Sequence, residues 1–446
     1  PSNTIDSIDD STTQILKHLS NPIETSFRKT GLVIGYIQSG KTANYTGLIA
    51  KAADVGYNLF IVYSGVHNNL REQTQKRLLN ELIGDSGPDS VEQPPLGSRW
   101  ISITSSDKEF YGDIPINQLQ NKNPIIIITK KICPVLERLD DWLSKADEEL
   151  LSSKSVMFID DEADYATINT GGTTDLEDFD EYIIDDYSDE DTSKTNELIR
   201  TIRNRFNRFC HIGYTATPFA NVLIDPFLED PILGETLYPR DFVISLPKPD
   251  GYFGTEKIFP YPSDNEEDAQ EENNYVQIID DSAAEMMLSE AYQDEYPTFG
   301  LPQMLLDSLY HFLLSGVVKE LREIDNKHHT LLIHSNHQIF IHGIIYNKVS
   351  NLWESLKSEL IYPSHNSELN ELTNGLNKAF DSNHQIFTKG GLERKVIMDQ
   401  IPDFVRKTKI LQINSEADEE LNYDDYSDGL KVIVIGGNRL SRGLTL

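Results

Sequence analysis

GLVIGYIQSGKTANYTGL, residues 31–48, is the stretch from which the fold can be predicted. It contains the pattern G-x4-G-K-[ST], with an apolar run before the pattern and a helix-forming run after it. A strand, a glycine-bounded turn and a helix in this order bring backbone N–H groups and the positive end of a helix dipole onto one anion. The residues that we expect to line this phosphate site are Gly35, Gln38, Ser39, Gly40, Lys41 and Thr42.

Two of these side chains have predicted roles of their own. We expect the ammonium group of Lys41 to reach the terminal phosphates of a nucleoside triphosphate. The hydroxyl group of Thr42 is expected to bind Mg²⁺. The pattern therefore predicts ATP and Mg²⁺ as the bound groups.

Three consecutive acids follow the apolar run 156–159, about 120 residues after Lys41. A strand there would deliver the acids at its carboxyl end, where clustered carboxylates are costly unless a cation is held among them. We expect Asp161 to bind Mg²⁺, directly or through water, and Glu162 to orient and deprotonate the attacking water. Asp160 is the alternative ligand if the register differs by one residue.

A third motif, HIGYTATPFAN at residues 211–221, comes after the acids. Thr-Ala-Thr-Pro after a strand is typical of superfamily 2 helicases and translocases, where it follows their Asp-Glu motif. In that superfamily the two hydroxyl groups link the carboxylate site to the second lobe. By that resemblance, Thr215 and Thr217 are expected to couple hydrolysis to domain movement.

The sequence GGNRLSRGLTL at residues 436–446 follows the last apolar strand pattern. Glycines and two arginines at this place suit a two-lobed ATPase, in which cationic side chains of the second lobe sense phosphate. Arg442 is the first candidate for this role and Arg439 the second. The motif stops at the end of the sequence, so we expect the second lobe to continue past Leu446.

The net charge of the 446 residues is −33, and most of it comes from three stretches without a basic residue. Residues 175–191 contain ten acids, residues 264–285 nine and residues 416–428 seven, which leaves a net charge of −7 for the remainder. Such runs are ordinarily solvated loops or insertions. The alternative is that they mimic DNA or block a nucleic-acid path. The remainder of the chain is compatible with a basic groove.

Cysteine usage and hydropathy indicate the compartment. Cys133 and Cys210 show no metal-ligand spacing, which suits a reducing cytoplasm. No apolar stretch approaches the roughly 18 to 20 residues of a membrane span. The sequence therefore predicts a soluble, cytoplasmic protein with no membrane partner.

Two basic segments have two interpretations each. A predicted helix at 195–209 bears Arg200, Arg203, Arg205 and Arg208, and it is either a nucleic-acid contact or the counter-charge to the acidic stretch before it. Thr129, Lys130 and Lys131 end a predicted strand and suit either a contact to phosphate or an ordinary turn.

Alternating strand and helix patterns predict an α/β fold with parallel sheets in two RecA-like lobes. Residues 1–27 form a helical lead-in and residues 28–225 the first lobe, with the phosphate loop and the acidic motif. Residues 226–300 are rich in proline and acids, which indicates an insertion or linker rather than more of the sheet. Residues 301–446 form the second lobe.

With the four motifs GYIQSGKT, FIDDEAD, GYTATPFAN and GGNRLSRGLTL, the chain resembles the Z1-domain family of prokaryotic proteins, often labelled putative endonucleases. The resemblance implies a superfamily 2 helicase-like ATPase in anti-phage or restriction-type defence, with DNA and other subunits of a defence complex as partners. It also supports Lys41, Thr42, Asp161 and Glu162 as nucleotide and Mg²⁺ residues, with Arg439 and Arg442 for coupling.

Three functions follow from these observations. The first is ATP hydrolysis coupled to closure of the lobes on DNA. The second is a nucleotide-gated switch or assembly subunit that recruits a separate nuclease or effector without translocating. The third is an endonuclease, although the sequence contains no recognisable nuclease motif.

Overall fold

A computed structural model describes residues 2–66, 68–82, 100–105, 108–165, 189–259, 275–278, 301–334, 339–362, 370–413, 421, 423 and 426–437. The chain divides into two compact units, Pro1–Asn273 and Asn274–Leu446. The lobe limits expected from the sequence, 28–225 and 301–446, stay predictions.

Unit 1 is built on a seven-stranded parallel sheet with the order β3-β4-β2-β5-β6-β1-β9. Its strands are β1 (Phe27–Ile34), β2 (Leu59–Tyr63), β3 (Ile101–Ser102), β4 (Ile125–Thr129), β5 (Val156–Asp161), β6 (Arg208–Thr215) and β9 (Phe242–Ser245). A separate antiparallel pair consists of β7 (Glu229–Asp230) and β8 (Gly234–Glu235). Parallel strands share one carboxyl edge, and the turns after β1 and β5 therefore lie on the same edge of the sheet.

The helices of unit 1 are α1 (Ser2–His18), α2 (Lys41–Val55), α3 (Asn68–Leu82), α4 (Cys133–Leu143), α5 (Glu148–Ser152), α6 (Asp189–Asn204), α7 (Phe219–Val222) and α8 (Thr255–Ile258). A 3₁₀ turn spans Ile116–Gln120. Alternate residues of the central strands belong to two different apolar clusters, since a strand projects successive side chains to opposite faces. Phe158 packs in one cluster and Ile159 in the other, so both faces of the sheet are covered.

The sheet includes one strand that the sequence pattern did not predict. Phe242–Ser245 lies within the proline-rich region expected outside the sheet, yet it pairs in parallel with Gly31–Ile34 of β1. That expectation was wrong for this segment, because Phe242 buries its ring against Gly31, where a Cβ atom would come within 2.1 Å of it. Four residues between prolines are too few for a composition argument to detect.

Unit 2 contains a three-stranded parallel sheet in the order β10-β12-β11. The strands are β10 (His329–Ile333), β11 (Lys409–Ile413) and β12 (Lys431–Gly436). The helices are α9 (Gln303–Leu321), α10 (Ile339–Ile361), α11 (Glu371–Ser382), α12 (His384–Phe387) and α13 (Arg394–Lys407). The core joins Ile433 and Ile435 of the central strand to the apolar faces of these helices.

Both units are mixtures of helices and parallel strands, and the predicted α/β fold class is confirmed. Among the helices in the described part of the chain, none is long and apolar enough to cross a membrane.

Candidate functional site

The phosphate loop of unit 1 connects the end of β1 to the start of α2. Its first residue, Gly35, donates its backbone N–H to the carbonyl oxygen of Thr215 at 3.0 Å, which continues the pairing of β1 with β6. Gly40 caps α2 with φ +90°, a left-handed conformation that glycine adopts without steric cost. Gln38 has φ +53°, also in the left-handed region. The loop thus turns sharply enough for α2 to start directly at Lys41.

The Lys41 side chain lies over the loop. An added Cβ atom at Gly35 would come within 2.8 Å of Lys41 Cγ and 3.2 Å of Cδ. The loop therefore needs glycine at this position, because the stem of the lysine occupies the space of a side chain. The Ser39 hydroxyl donates to the carbonyl oxygen of Tyr36 at 2.7 Å, which closes the loop locally.

Asp161, the last residue of β5, faces the phosphate loop. Its Oδ2 atom accepts a hydrogen bond from the buried Tyr45 hydroxyl of α2 at 3.1 Å. Burial and the nearby charge of Glu162 raise the pKa of Asp161 to about 6, against the opposing influence of Lys41 and Lys131. Burial and the charge of Asp161 raise the pKa of Tyr45, and Thr42 and Thr74 oppose that rise. The Tyr45 hydroxyl thus ties the Asp161 carboxylate to α2, the helix that begins at Lys41.

Asp160 faces the opposite side of β5, as alternation along a strand requires. Its Oδ1 atom lies 2.9 Å from Lys131 Nζ, and its Oδ2 atom lies 3.6 Å from His211 Nε2. Burial raises the pKa of Asp160, but Lys131 and His211 outweigh burial, and the pKa is lowered overall. Of the two adjacent aspartates, Asp161 is the one beside the loop.

The turn after β5 has an unusual backbone. Glu162 has φ +53°, which a non-glycine residue adopts only when its surroundings hold it there. Glu162 is half-buried, and its backbone N–H donates to Asp161 Oδ1 at 3.2 Å. Lys131 Nζ donates to the carbonyl oxygens of Asp161, Glu162 and Tyr165 at 2.8, 2.7 and 3.0 Å. The conformation that places Glu162 is therefore tied to a lysine from another strand end.

The two threonines of the third motif both bind Asp164. Thr215 Oγ1 donates to Asp164 Oδ1 and Thr217 Oγ1 to Asp164 Oδ2, each at 2.6 Å. Asn221 Nδ2 donates to the carbonyl oxygen of Ala163 at 2.8 Å. These hydrogen bonds join the motif after β6 to the turn after β5.

A buried hydrogen-bond chain links α1 to the same region. Asn44 Nδ2 donates to Ser11 Oγ of α1 at 2.8 Å, and Tyr214 on β6 donates its hydroxyl to Asn44 Oδ1 at 2.9 Å. The Tyr214 ring also meets the Tyr45 ring edge to face, with centroids 5.4 Å apart. The lead-in helix is thus part of the packing behind α2 and β6.

The basic segment after the first acidic stretch is turned inward. α6 ends at Asn204, earlier than the predicted helix at 195–209, and the arginines at and beyond its end bind protein groups. Arg200 and Arg203 donate to the carbonyl oxygens of residues 234–236, Arg205 binds Asp140, and Arg208 donates to the carbonyl oxygen of Pro22. These guanidinium groups stabilise unit 1. Most of the first acidic stretch lies outside the described residues, so the counter-charge interpretation stays a prediction.

Sequence reasoning missed three residues of the site. Tyr45 and Lys131 bind the turn after β5, and Asp164 lies within it and accepts from Thr215. The sequence pointed only to Lys131, as a contact to phosphate or part of an ordinary turn. A lysine two residues past a buried strand was the available signal. The predicted second-lobe residues Arg439 and Arg442 lie outside the described residues.

The residues present fit a magnesium ion held together with a nucleotide. Within the described residues, no group of three or more His, Cys, Asp or Glu side chains could hold a metal ion by itself. Mg²⁺ commonly binds through one or two protein groups plus substrate phosphates. The buried carboxylate of Asp161, tied by Tyr45 to the helix that has Thr42 in its first turn, is such an incomplete set.

Comparison with known proteins gives one family match. The model of the Z1 domain matches residues 304–446, about a third of the chain. The match includes the fourth motif, GGNRLSRGLTL, and leaves the first three motifs outside it. No curated protein matches the chain.

Several solved structures are similar at low identity. The DUF1998 helicase MrfA bound to DNA is 14% identical with a TM-score of 0.27, over 54% of this chain and 25% of that chain. The Pyrococcus furiosus Hef helicase domain is 12% identical with a TM-score of 0.29, over 91% and 83%. The Sulfolobus solfataricus SWI2/SNF2 ATPase core in complex with dsDNA is 13% identical with a TM-score of 0.25, over 92% and 74%. The chain thus spans a quarter of the length of MrfA.

Proposed function

We propose that this chain hydrolyses ATP at the carboxyl edge of the unit 1 sheet and uses the hydrolysis as a helicase-like motor or remodelling subunit on DNA. The observation that carries the proposal is the hydrogen bond by which Tyr45, on the helix that follows the phosphate loop, holds the buried carboxylate of Asp161. A chance glycine turn would have no reason to face such a carboxylate.

In this proposal the loop binds the triphosphate. Backbone N–H groups of the loop and the N-terminal end of α2 hold the phosphate oxygens, and Lys41 neutralises charge on the terminal phosphates. Thr42 and Asp161 would hold Mg²⁺, which supplies neutralisation of the charge that develops on the phosphates. Tyr45 fixes the Asp161 carboxylate through its hydrogen bond.

Glu162 is the proposed base. It orients a water molecule in line with the γ-phosphorus atom and takes a proton from it as the new oxygen–phosphorus bond forms. The bond from the γ-phosphorus to the bridging oxygen breaks, and ADP leaves with that oxygen. The left-handed backbone at Glu162 sets the direction in which its carboxylate projects from the turn.

Coupling would pass through Asp164. Because Thr215 and Thr217 hold its two carboxylate oxygens, any shift of the turn after β5 moves the segment after β6. Arg439 and Arg442 are proposed to sense the phosphates from the second lobe. The DNA substrate and the place in a defence complex rest on the Z1-family resemblance.

ATP hydrolysis by the purified protein, measured with and without single- and double-stranded DNA at low and physiological salt, tests the proposal. We expect DNA to stimulate hydrolysis, and Glu162→Gln to abolish turnover while retaining ATP binding. Unchanged hydrolysis in both Glu162→Gln and Lys41→Ala would contradict the site assignment.

The second candidate is a nucleotide-gated switch that recruits an effector without translocating. One observation favours it, because the arginines of the most basic segment bind protein groups rather than presenting a surface to DNA. Hydrolysis that depends on Glu162 but is indifferent to every DNA form would support the switch over the motor.

A further inference from the structure

Lys131 lies two residues past the end of β4 and is fully buried. Its backbone N–H donates to the carbonyl oxygen of Gly65, in the turn after β2, at 2.7 Å. Its ammonium group reaches past the end of β2 and binds four oxygens at the end of β5 and in the turn that follows. These are Oδ1 of Asp160 and the carbonyl oxygens of Asp161, Glu162 and Tyr165.

The contacts of Lys131 serve two purposes, charge compensation and fixing of the backbone. An ammonium group has three N–H donors and is costly to bury unless an anion compensates it. Asp160 supplies that compensation, at 2.9 Å. The three carbonyl oxygens do not change the charge balance, but they come from the residues where the chain leaves the sheet and turns. One cation thus gathers the carbonyl groups of a turn that contains both proposed catalytic carboxylates.

We propose that Lys131 is a positioning residue for ATP hydrolysis, which fixes the turn at 161–165 and so aims the carboxylate of Glu162. The inference rests on the proposed ATPase function. Lys131 acts through the backbone of the turn and, in this role, does not touch nucleotide. Its removal therefore slows the chemical step more than it weakens nucleotide binding.

The competing explanation is that Lys131 only neutralises Asp160. The double variant Lys131→Met/Asp160→Asn distinguishes the two, because it removes the cation and the anion together and leaves no buried charge uncompensated. Simple neutralisation predicts that the double variant recovers both stability and turnover. Positioning predicts that stability recovers and turnover does not, because the three carbonyl oxygens still lack their donor.

Wild type, Lys131→Met, Asp160→Asn and the double variant are compared by single-turnover ATP hydrolysis, binding of a fluorescent ATP analogue and thermal unfolding. The matched control is Lys154→Met. Lys154 is another buried lysine, close to the opposite end of β5, and it donates to the carbonyl oxygen of Asn121. We expect the double variant to unfold close to wild type, to bind the analogue within about threefold, and to hydrolyse ATP about 10- to 100-fold more slowly. Lys154→Met should hydrolyse at the wild-type rate.

Wild-type turnover in the double variant would overturn the inference, as would equal losses of binding and turnover or failure of the double variant to fold. Wild-type protein that neither binds nor hydrolyses ATP would instead contradict the proposed function, and the inference with it. The wild-type measurement in the same assay separates these failures.

Discussion

The phosphate loop and the carboxylate turn lie at the ends of two strands of one sheet, but they are held in different ways. The loop is shaped largely by its own residues: the left-handed Gly40, the hydrogen bond from Ser39 to Tyr36, and the stem of Lys41 over Gly35. One hydrogen bond comes from outside the loop, from the Tyr252 hydroxyl to the carbonyl oxygen of Ile37 at 2.7 Å. The turn is held by side chains from elsewhere. Lys131 is 29 residues from Asp160 in sequence, and Tyr45 is 116 residues from Asp161.

This difference separates binding from chemistry. A loop built from local backbone can bind phosphate wherever a strand and helix present it. Carboxylates that must aim at one phosphorus atom need support from several elements, since small misplacement is expensive in rate. Changes in the loop should therefore act on nucleotide affinity, whereas changes around the turn should act on turnover.

Lys41→Ala should have the largest effect, on the binding side of the comparison. Loss of the ammonium group is expected to weaken ATP binding by about 100-fold or more, equivalent to roughly 2.7 kcal/mol. Lys51→Ala on the same helix is the control, because Lys51 binds Asp9 and Thr13 of α1 rather than the loop. Titration calorimetry should show near wild-type affinity for the control, and a comparable loss in both variants would contradict the role of Lys41.

Asp164→Ala should have the next largest effect, on the rate of hydrolysis rather than on nucleotide binding. Because Asp164 holds both threonines, its loss is expected to lower kcat by about 10- to 100-fold, with nucleotide affinity within about threefold. Asp147→Ala removes a helix cap at Leu150 and should leave kcat unchanged. Steady-state ATP hydrolysis by both variants tests this prediction. If Asp164→Ala lost as much nucleotide affinity as kcat, the proposed difference between the loop and the turn would be wrong.

Asp161→Asn should stabilise the metal-free protein at high pH. Burial raises the pKa of Asp161 to about 6 in the folded state, above the ordinary value of 3.8, so the ionised carboxylate lowers the unfolding free energy above pH 6. Below about pH 4 this carboxyl is protonated in folded and unfolded chains alike, and the penalty vanishes.

Asparagine resembles the protonated acid, so the variant should gain about 1 to 3 kcal/mol at pH 8 and less at pH 5. Urea unfolding in the presence of a chelator measures the gain. An equal gain at both pH values would mean that the carboxylate charge is not its cause.

Gly40→Ala should have the smallest effect. Nothing lies within 4 Å of an added Cβ atom, so the cost is the left-handed backbone alone, about 1 kcal/mol of stability. Gly47→Ala, in the middle of the same helix, makes only ordinary contacts to α1 at 3.4 and 3.5 Å and should stabilise by up to about 1 kcal/mol. Opposite signs in thermal unfolding are expected, and equal signs would show that the conformation of Gly40 does not matter.

The sequence predicted the α/β class and the places of the loop and the acids, because both follow buried apolar strands in short, local patterns. It could not assign Lys131, whose role depends on β4 and β5 lying on either side of β2 in the sheet. It ranked Asp161 ahead of Asp160 but left the register open, since the direction of each depends on which face of β5 meets the loop.

The arginines near the end of α6 show a second limit of sequence patterns. A run of basic residues predicts a charged surface, yet Arg203 is fully buried, and burial lowers its pKa to about 10. Its partners are backbone carbonyl oxygens of the β7–β8 segment, which carry no signal in a sequence. Composition counts charges, but it does not show which of them meet backbone acceptors.

The chain from Ser11 through Asn44 to Tyr214 has a practical consequence for anyone trimming this protein for expression. A boundary drawn at the start of the first strand would remove α1, since the helix precedes every motif. That cut would remove the Ser11 hydroxyl that accepts from the side-chain amide of Asn44. Asn44 directly precedes Tyr45, whose hydroxyl orients the Asp161 carboxylate. A shortened chain with poor ATPase activity would then report the missing helix rather than an inactive enzyme.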